Sequence, residues 1–290
     1  IDSPFPVIGL SALVIDPQND GRNRNGVYEL ELLVNDKLAY HIKHHQISFS
    51  NTRYANAHMD YATSKSMGYR AYRMHKLPGN RLNLSSQKSE NGLINLTANP
   101  KKIELRAKDY HGNESKSIFF LRAPNAVGFT SSSYNYLIPY DELKTIEFQG
   151  LKLQFPAYAL YSSMYLNLDC QLDQYFIGDP LVPLHRYIDL TFEPDEKDRW
   201  SSKSFLAHCS ADGEYLNSGG HLDGNGLFRA KIRAFGAYQI LEDTIPPEIE
   251  LLGWNREGAS FTGQFRISDN YQITGKAKGL SYEGQLDGSW

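Results

Sequence analysis

The chain has few cysteines and methionines and no long hydrophobic segment. Only two of its 290 residues are cysteine and four are methionine. The pair Cys170 and Cys209 cannot form a framework of several disulfides, although a single bridge stays open because both fall in one predicted domain. No apolar run approaches the roughly 20 residues that a membrane helix needs, so the sequence predicts no membrane span.

Motifs of the common enzyme classes are also missing. The sequence contains no G-x-S-x-G, no P-loop, no H-E-x-x-H and no G-x-G-x-x-G. The acidic run at 193–198 lacks the ligand spacing and the glycine of a calcium loop. Basic residues are scattered among aromatics rather than clustered, which argues against nucleic acid as a partner. We therefore predict no catalytic site in this chain, and a self-contained hydrolase is the least favoured interpretation.

Tyrosine and phenylalanine are abundant, with 19 and 14 residues, and both favour strands. Apolar residues alternate along 27–43 on either side of the turn Asn35-Asp36, a pattern that predicts a hairpin. A second hairpin is predicted over 103–121, with Ile118 and Phe120 as the apolar positions of its return strand. The predicted fold class is all-β, with tandem Ig-like or β-sandwich domains.

Turn and proline signals divide the chain into three predicted domains. Residues 1–124 form a first sandwich, 125–243 a second, and 244–290 the start of a third that is truncated, since a complete sandwich needs roughly 100 residues. The net charges of these parts are about +6, −7 and −2, which fits docking between domains, attraction to an anionic polymer, or scattered solvated charge. Because the chain starts at Ile1, we expect a mature or trimmed piece without its signal peptide.

A different pattern interrupts the first domain near 50–64. Ser50 or Asn51 is suited to start a helix, and Tyr54, His58 and Tyr61 then share one helical face. The sequence therefore predicts a short helical insert between sandwich strands.

Four polar residues of this insert are the candidate site of the chain. They are Arg53, Asn56, His58 and Asp60. Helical spacing sets Asn56 and Asp60 on a second face. One interpretation is a structural network that ties the insert to the sandwich, because a buried histidine needs a hydrogen-bond partner. The other is a binding site in which Arg53 and His58 contact an anionic cell-wall fragment.

The histidines near the first hairpin do not predict a metal site. His44 and His45 are adjacent on an expected strand, so their side chains point to opposite faces. His41 and His45 share a face, but no carboxylate is evident beside them, and zinc needs three or four convergent ligands. We predict neither a metal nor another cofactor in this chain.

Six segments resemble, in order and spacing, the C-terminal half of a group of secreted Bacteroidetes proteins. The N-terminal half of those proteins is a lysostaphin/LytM-type zinc metallopeptidase. The segments that carry the resemblance are 34–40, 53–61, 76–80, 109–113, 235–238 and 243–247, with the sequences VNDKLAY, RYANAHMDY, KLPGN, DYHGN, FGAY and DTIPP. The similarity extends over essentially the whole chain.

This resemblance implies a non-catalytic role. The family's peptidase domain binds zinc through a His-x-x-x-Asp pair and a His-x-His pair, and the ligand set is incomplete here because no two histidines of this sequence are separated by one residue. It implies an accessory region that positions or packs on a peptidase domain, with that linked domain and peptidoglycan as partners and zinc only in the missing domain. It also implies an extracytoplasmic location: periplasmic, cell-surface or secreted. The alternative is an independent Ig-like adhesion or glycan-binding protein.

Overall fold

The structure is a computed structural model that describes residues 1–17, 24–84, 90–127, 135–196, 199–258, 260–274 and 279–283. β-Strands dominate these residues, and the α-helices among them are two short ones. The predicted fold class, all-β with sandwich-type sheets and a short helical insert, is confirmed. No helix in the described ranges is long and apolar enough to cross a membrane.

The strands are numbered along the chain. The earlier ones are β1 (Val7–Ile8), β2 (Ser11–Leu13), β3 (Asp16–Pro17), β4 (Arg24–Asn25), β5 (Glu29–Val34), β6 (Lys37–Lys43), β7 (Ala71–Arg73), β8 (Ile94–Asn95), β9 (Lys101–Lys108) and β10 (Glu114–Leu121). The later ones are β11 (Tyr136–Ile138), β12 (Lys144–Phe148), β13 (Leu151–Phe155), β14 (Met164–Leu166), β15 (Leu168–Gln171), β16 (Gln174–Ile177), β17 (Ile188–Phe192), β18 (Ser204–Cys209), β19 (Tyr215–Asn217), β20 (His221–Leu222), β21 (Phe228–Ile232), β22 (Gly236–Glu242), β23 (Glu248–Glu257) and β24 (Ser260–Ser268).

Contacts group the described chain into two compact units. Unit 1 consists of Ile1–Glu142, Ala157–Leu166 and Pro180–Arg186, and unit 2 of Leu143–Pro156, Asn167–Asp179 and Tyr187–Trp290. The chain therefore passes from one unit to the other several times. The three domains with boundaries after 124 and 243 stay a prediction.

Unit 1 is built around a four-stranded antiparallel sheet in the order β10-β9-β5-β6. The β5–β6 hairpin turns at Asn35 and Asp36, whose φ angles of 50° and 63° lie in the left-handed region that such turns require. Both predicted hairpins are present. The inner face of the sheet packs on a core that includes Leu32, Tyr72 and Met74.

The return strand of the second hairpin has the opposite face buried from the one predicted. Ile118 and Phe120 are 47% and 56% exposed, whereas Leu121 is buried and Phe119 packs against the core. Phe119 pairs with Ile103, which is fully buried, and paired residues of an antiparallel ladder point to the same face. The strand itself was predicted correctly, but the face that it buries was not.

The helical insert consists of a 3₁₀ helix, Phe49–Tyr54, followed by α1, Ala55–His58, and α2, Tyr61–Met67. Met59 and Asp60 between the two α-helices have extended backbone, with ψ of 148° and 93°. The predicted common face of Tyr54, His58 and Tyr61 is therefore wrong, since it requires one continuous helix. The predicted caps at 50 and 51 are wrong too: the 3₁₀ helix follows Ser48, without a side-chain cap.

Unit 2 contains two five-stranded sheets, β12-β13-β17-β21-β20 and β15-β16-β22-β18-β19. Buried and exposed residues alternate along β13 and β21, so each strand turns one face to the interior. Rings of the two sheets meet there: Tyr175 of β16 lies 5.3 Å from Phe192 of β17. Phe155 of β13 also lies 6.4 Å from Phe235, which immediately precedes β22. The two cysteines of this unit are free thiols, so the single bridge that the sequence left open does not form.

A further hairpin, β23–β24, extends from unit 2 beyond the proline pair at 246 and 247. The chain that follows it returns to the sandwich. Backbone bonds of 2.7 Å join Asn217, at the edge strand β19, to Gln272 and Thr274. The ring of Tyr271 lies 4.7 Å from Phe205. The hairpin is therefore attached to the sandwich at both ends, by β22 before it and by these contacts after it.

Candidate interaction sites

Arg53 fastens the first turn of the helical insert. Its Nε donates to the carbonyl oxygen of His185 at 2.9 Å, and its Nη2 donates to that of Leu184 at 2.8 Å. The Tyr161 hydroxyl donates to the carbonyl of Arg53 at 2.7 Å. One guanidinium thus binds two successive carbonyls that lie more than 130 positions away in the sequence, which secures the later segments of unit 1 to the insert.

An aromatic contact supports the same attachment. The ring of Tyr54 stacks on His185 with centroids 4.4 Å apart and an interplanar angle of 27°. His185 Nδ1 also lies 3.1 Å from the Tyr161 hydroxyl. The backbone of Gly79 lies close to that of Tyr161, and its amide donates to the Tyr161 carbonyl at 2.8 Å. A Cβ at position 79 would lie 2.8 Å from the same oxygen, so this approach requires glycine.

His58 is buried at the end of α1 and meets a second histidine. Its Nε2 lies 2.7 Å from Nε2 of His44, whose Nδ1 lies 2.9 Å from the carbonyl oxygen of Val27. Burial and the neighbouring His44 lower the pKa of His58 to about 3. Burial also lowers the pKa of His44, so both rings are neutral at pH 7. Because β6 ends at Lys43, His44 does not lie on the strand that the sequence predicted.

Asp60 begins the second helix. Its carboxylate accepts from the Thr63 amide at 3.2 Å, as an N-cap residue does, and from the Ser11 hydroxyl at 2.7 Å. Partial burial opposes ionisation, but these hydrogen bonds outweigh it, and the pKa of Asp60 lies below its usual value. Asp60 thereby connects the insert to β2.

The four candidate residues do not form one cluster on a helical face. Arg53 contacts the segment 184–185, His58 contacts His44, and Asp60 contacts β2. Asn56 is half-buried within α1. Each of the other three anchors the insert to a different part of unit 1, an arrangement that fits the structural interpretation. The binding interpretation stays a hypothesis.

Sequence reasoning missed the carboxylate beside His41. His41 is 1% exposed, and its Nε2 lies 2.8 Å from Oε1 of Glu29 on the neighbouring strand. Glu29, Glu31 and His41 offer ligand atoms within 4.8 Å of one another, the geometry of a possible metal site. However, Glu31 also lies 3.7 Å from Lys108 and 3.9 Å from Arg106. We interpret Glu29, Glu31 and His41 as part of a network of ion pairs, because Lys108 and Arg106 already balance the carboxylate charge.

A cleft of about 1040 Å³ opens in unit 2 between the sandwich and the root of the β23–β24 hairpin. Its walls include Asn217, His221, Pro246 and Asp269, together with Asp189 and Lys231. The last two form an ion pair at 2.6 Å. The volume lies at the upper end of the range for small-molecule sites, roughly 300–1,000 Å³. The sequence pattern did not predict this cleft, because its lining comes from six separate stretches of the chain.

The β23–β24 hairpin presents an exposed apolar face. Ile249, Leu251, Trp254 and Phe265 are 68%, 56%, 59% and 58% exposed. Leu251 pairs with Phe265 and Trp254 with Gly263, so the register brings the four side chains to one side. The paired residues on its opposite side are polar or glycine.

A register shift keeps this face continuous. It falls between Leu251 and Gly253, and without the extra residue Trp254 would point to the polar side, where Glu250 and Arg266 form an ion pair at 3.0 Å. Gly263 leaves room for the indole: a Cβ there would lie 3.0 Å from the Trp254 ring and 3.1 Å from Phe265. The hairpin is therefore amphipathic, with its apolar side accessible in the described structure.

Comparison with known families gives one match. Residues 135–243 are similar to the Zu5-like domain, a segment of less than half of the chain. The matched segment contributes to both compact units, since β11 and β14 belong to unit 1 and the two five-stranded sheets to unit 2. No curated protein and no solved structure matches the chain.

Proposed function

We propose that this chain is a non-catalytic interaction region of a cell-envelope protein, which docks a linked lysostaphin/LytM-type zinc peptidase domain. The observation that carries the proposal is the apolar face of the β23–β24 hairpin. Its four large side chains, each more than half exposed, offer on the order of 500 Å² of apolar surface. That is near the upper end of the largest patches on soluble monomers, about 300–600 Å², which are often functional.

The polar chemistry of the chain supports binding rather than catalysis. The buried histidines of the described chain are His58 and His41. His58 already contacts His44, and His41 already contacts Glu29. The His-x-His pair of the peptidase domain's zinc site does not occur in the sequence. In this proposal the zinc and the reaction belong to the partner domain, the accessory region orients that domain on peptidoglycan, and both act outside the cytoplasm.

The docking proposal is tested by charge substitutions on the hairpin. Trp254→Glu or Leu251→Glu should weaken binding of a separately produced lysostaphin/LytM-type peptidase domain at least tenfold in calorimetric titration, because a carboxylate cannot be buried cheaply in an apolar interface. Leu172→Glu is the matched control, since Leu172 is 98% exposed in the same unit but lies outside the hairpin. Equal binding by wild type and both hairpin variants would refute the proposal.

A second candidate function is glycan binding, favoured by the cleft in unit 2. Its polar side chains and balanced charges, including the Asp189–Lys231 pair, suit a neutral or zwitterionic ligand. Soluble peptidoglycan fragments are the probe. Lys231→Met should reduce their binding about tenfold, whereas Lys152→Met, which breaks a surface pair with Glu147 on the same sheet, should not. If the fragments do not bind wild type, this second function is excluded.

A further inference from the structure

The histidine pair in unit 1 joins two segments of different kinds. His44 lies in the irregular chain just after β6, and His58 is the last residue of α1 in the helical insert. His58 is 5% exposed, and the two Nε2 atoms are 2.7 Å apart. This short nitrogen-to-nitrogen contact requires one ring to donate and the other to accept.

The backbone decides which ring does which. The Val27 carbonyl accepts only, so Nδ1 of His44, 2.9 Å away, carries the proton. In the neutral ring Nε2 of His44 is then the acceptor, and His58 must donate from its Nε2. A first proton on either ring places a charge in this buried pair, and a second proton brings two N–H groups face to face. The contact is therefore most stable while both rings are neutral.

The surroundings offer a cation rather than a counter-ion. Arg70, ahead of β7, disfavours a charge on His44, and His44 disfavours a charge on His58. From β7 the ring of Tyr72 lies 5.1 Å from His44 and 5.8 Å from His58. Asp60, the carboxylate two residues beyond His58, is already engaged by Ser11 and Thr63. A charge on the pair is thus poorly compensated.

We propose that the His44–His58 contact is an acid-sensitive latch, which holds α1 on unit 1 when both rings are neutral and releases it when the pair is protonated. Arg53 carries its charge throughout this pH range and keeps the 3₁₀ end of the insert attached to residues 184 and 185. The opening is therefore confined to α1, because Arg53 holds the chain before it and Asp60, through Ser11, holds the chain after it.

The direction of the effect follows from the pKa of His58, which is near 6.5 when the ring is exposed and about 3 in the closed state. A lowered pKa stabilises the closed state above pH 6.5, and the stabilisation is lost progressively as the pH falls towards 3. Between pH 7.5 and 5.0 the opening equilibrium should rise about thirty-fold from this one ring.

Hydrogen exchange of the full chain tests the latch. After correction for intrinsic rates, amides of residues 55–59 should exchange about thirty-fold faster at pH 5.0 than at pH 7.5, while those of β12 and β13 should not accelerate. His58→Gln keeps an N–H donor without titrating, so most of the acceleration should be lost. His111→Gln, at the exposed tip of the β9–β10 hairpin, is the control and should behave as wild type.

A second measurement does not depend on any variant. In a ring-proton NMR titration of the folded chain, His58 should stay neutral down to pH 5. Titration of His58 near 6.5 would overturn the proposal. Exchange at 55–59 that is unchanged by pH, that accelerates equally in His58→Gln, or that rises together with unit 2 would overturn it as well.

Discussion

The helical insert and the β23–β24 hairpin are both additions to a sandwich, but they relate to it in opposite ways. The insert buries His58 and binds unit 1 through charged and polar side chains whose partners lie within that unit. The hairpin directs Trp254 and Phe265 outwards and keeps its ion pair on the other side. Buried polar groups that have hydrogen-bond partners within the same unit indicate a structural role. Large apolar side chains that stay exposed indicate a surface for a partner.

The largest effect on stability should come from Arg53→Ala. This change leaves the carbonyls of Leu184 and His185 without their charged donor, at a cost of about 3 kcal/mol. For a unit of this size Tm should fall by roughly 6–12 °C in differential scanning calorimetry.

Arg81→Ala is the matched control for that change. Arg81 lies 4.6 Å from the ring of Tyr158, in another part of the same unit, and is exposed. A cation–π contact of this kind contributes under about 1 kcal/mol. Equal losses of Tm in the two variants would mean that the bonds from Arg53 to the two carbonyls contribute no more than an exposed contact. That result would weaken the contrast between insert and hairpin.

His58→Ala should destabilise unit 1 by about 2 kcal/mol at pH 7.5, because His44 loses its donor and a cavity remains. The loss should shrink at pH 4.5. Since the pKa of His58 is lowered to about 3, the wild type itself loses stability as the pH falls below 6.5.

Thermal melts at both pH values measure this difference, with His111→Ala as the exposed control. A Tm unchanged by His58→Ala, combined with lost binding of peptidoglycan fragments, would favour the ligand-site interpretation of the candidate residues instead.

Asp60→Ala should cost about 1 kcal/mol, the usual value of an N-cap, since Thr63 and Ser11 lose their acceptor. Asp60→Asn retains an acceptor oxygen and should restore most of the stability. Denaturant midpoints compare the two variants; similar losses in both would assign the effect to charge rather than to capping.

The smallest effect on stability should come from Trp254→Ser. An indole that is 59% exposed loses little packing, so the unfolding free energy should change by less than about 0.5 kcal/mol. Chemical denaturation provides the measurement. A loss above 2 kcal/mol would show that Trp254 serves the hairpin's own fold, and the proposed contrast between a structural insert and an interaction surface would fail.

Local patterns explain why part of this fold was predictable. The β5–β6 hairpin follows from alternating residues and from Asn35-Asp36, whose preferences act over a few positions. The same reasoning located the helical insert but not its break at Met59 and Asp60. That break places Asp60 against Ser11 of β2, a tertiary contact that helical periodicity does not contain.

The candidate site was predictable in its residues but not in its partners. Arg53, His58 and Asp60 stand out in the sequence, yet the acceptors of Arg53 are main-chain carbonyls, which every residue has. Glu29 and His41 lie 12 positions apart and meet only through the register of β5 and β6. Long-range pairing of this type requires knowledge of the sheet.

The Arg53 clamp also has a consequence for the order of events during synthesis. Arg53 and Leu184 are separated by 131 positions. A ribosome adding about 5–20 residues per second therefore needs roughly 7–26 seconds between them. Throughout that interval the guanidinium lacks its native acceptors, and the β-strands of residues 1–127 must rely on their own core. Unit 1 can be completed only after much of the Zu5-like segment has emerged, so the nascent chain passes through a stage in which its N-terminal part is assembled but not yet closed.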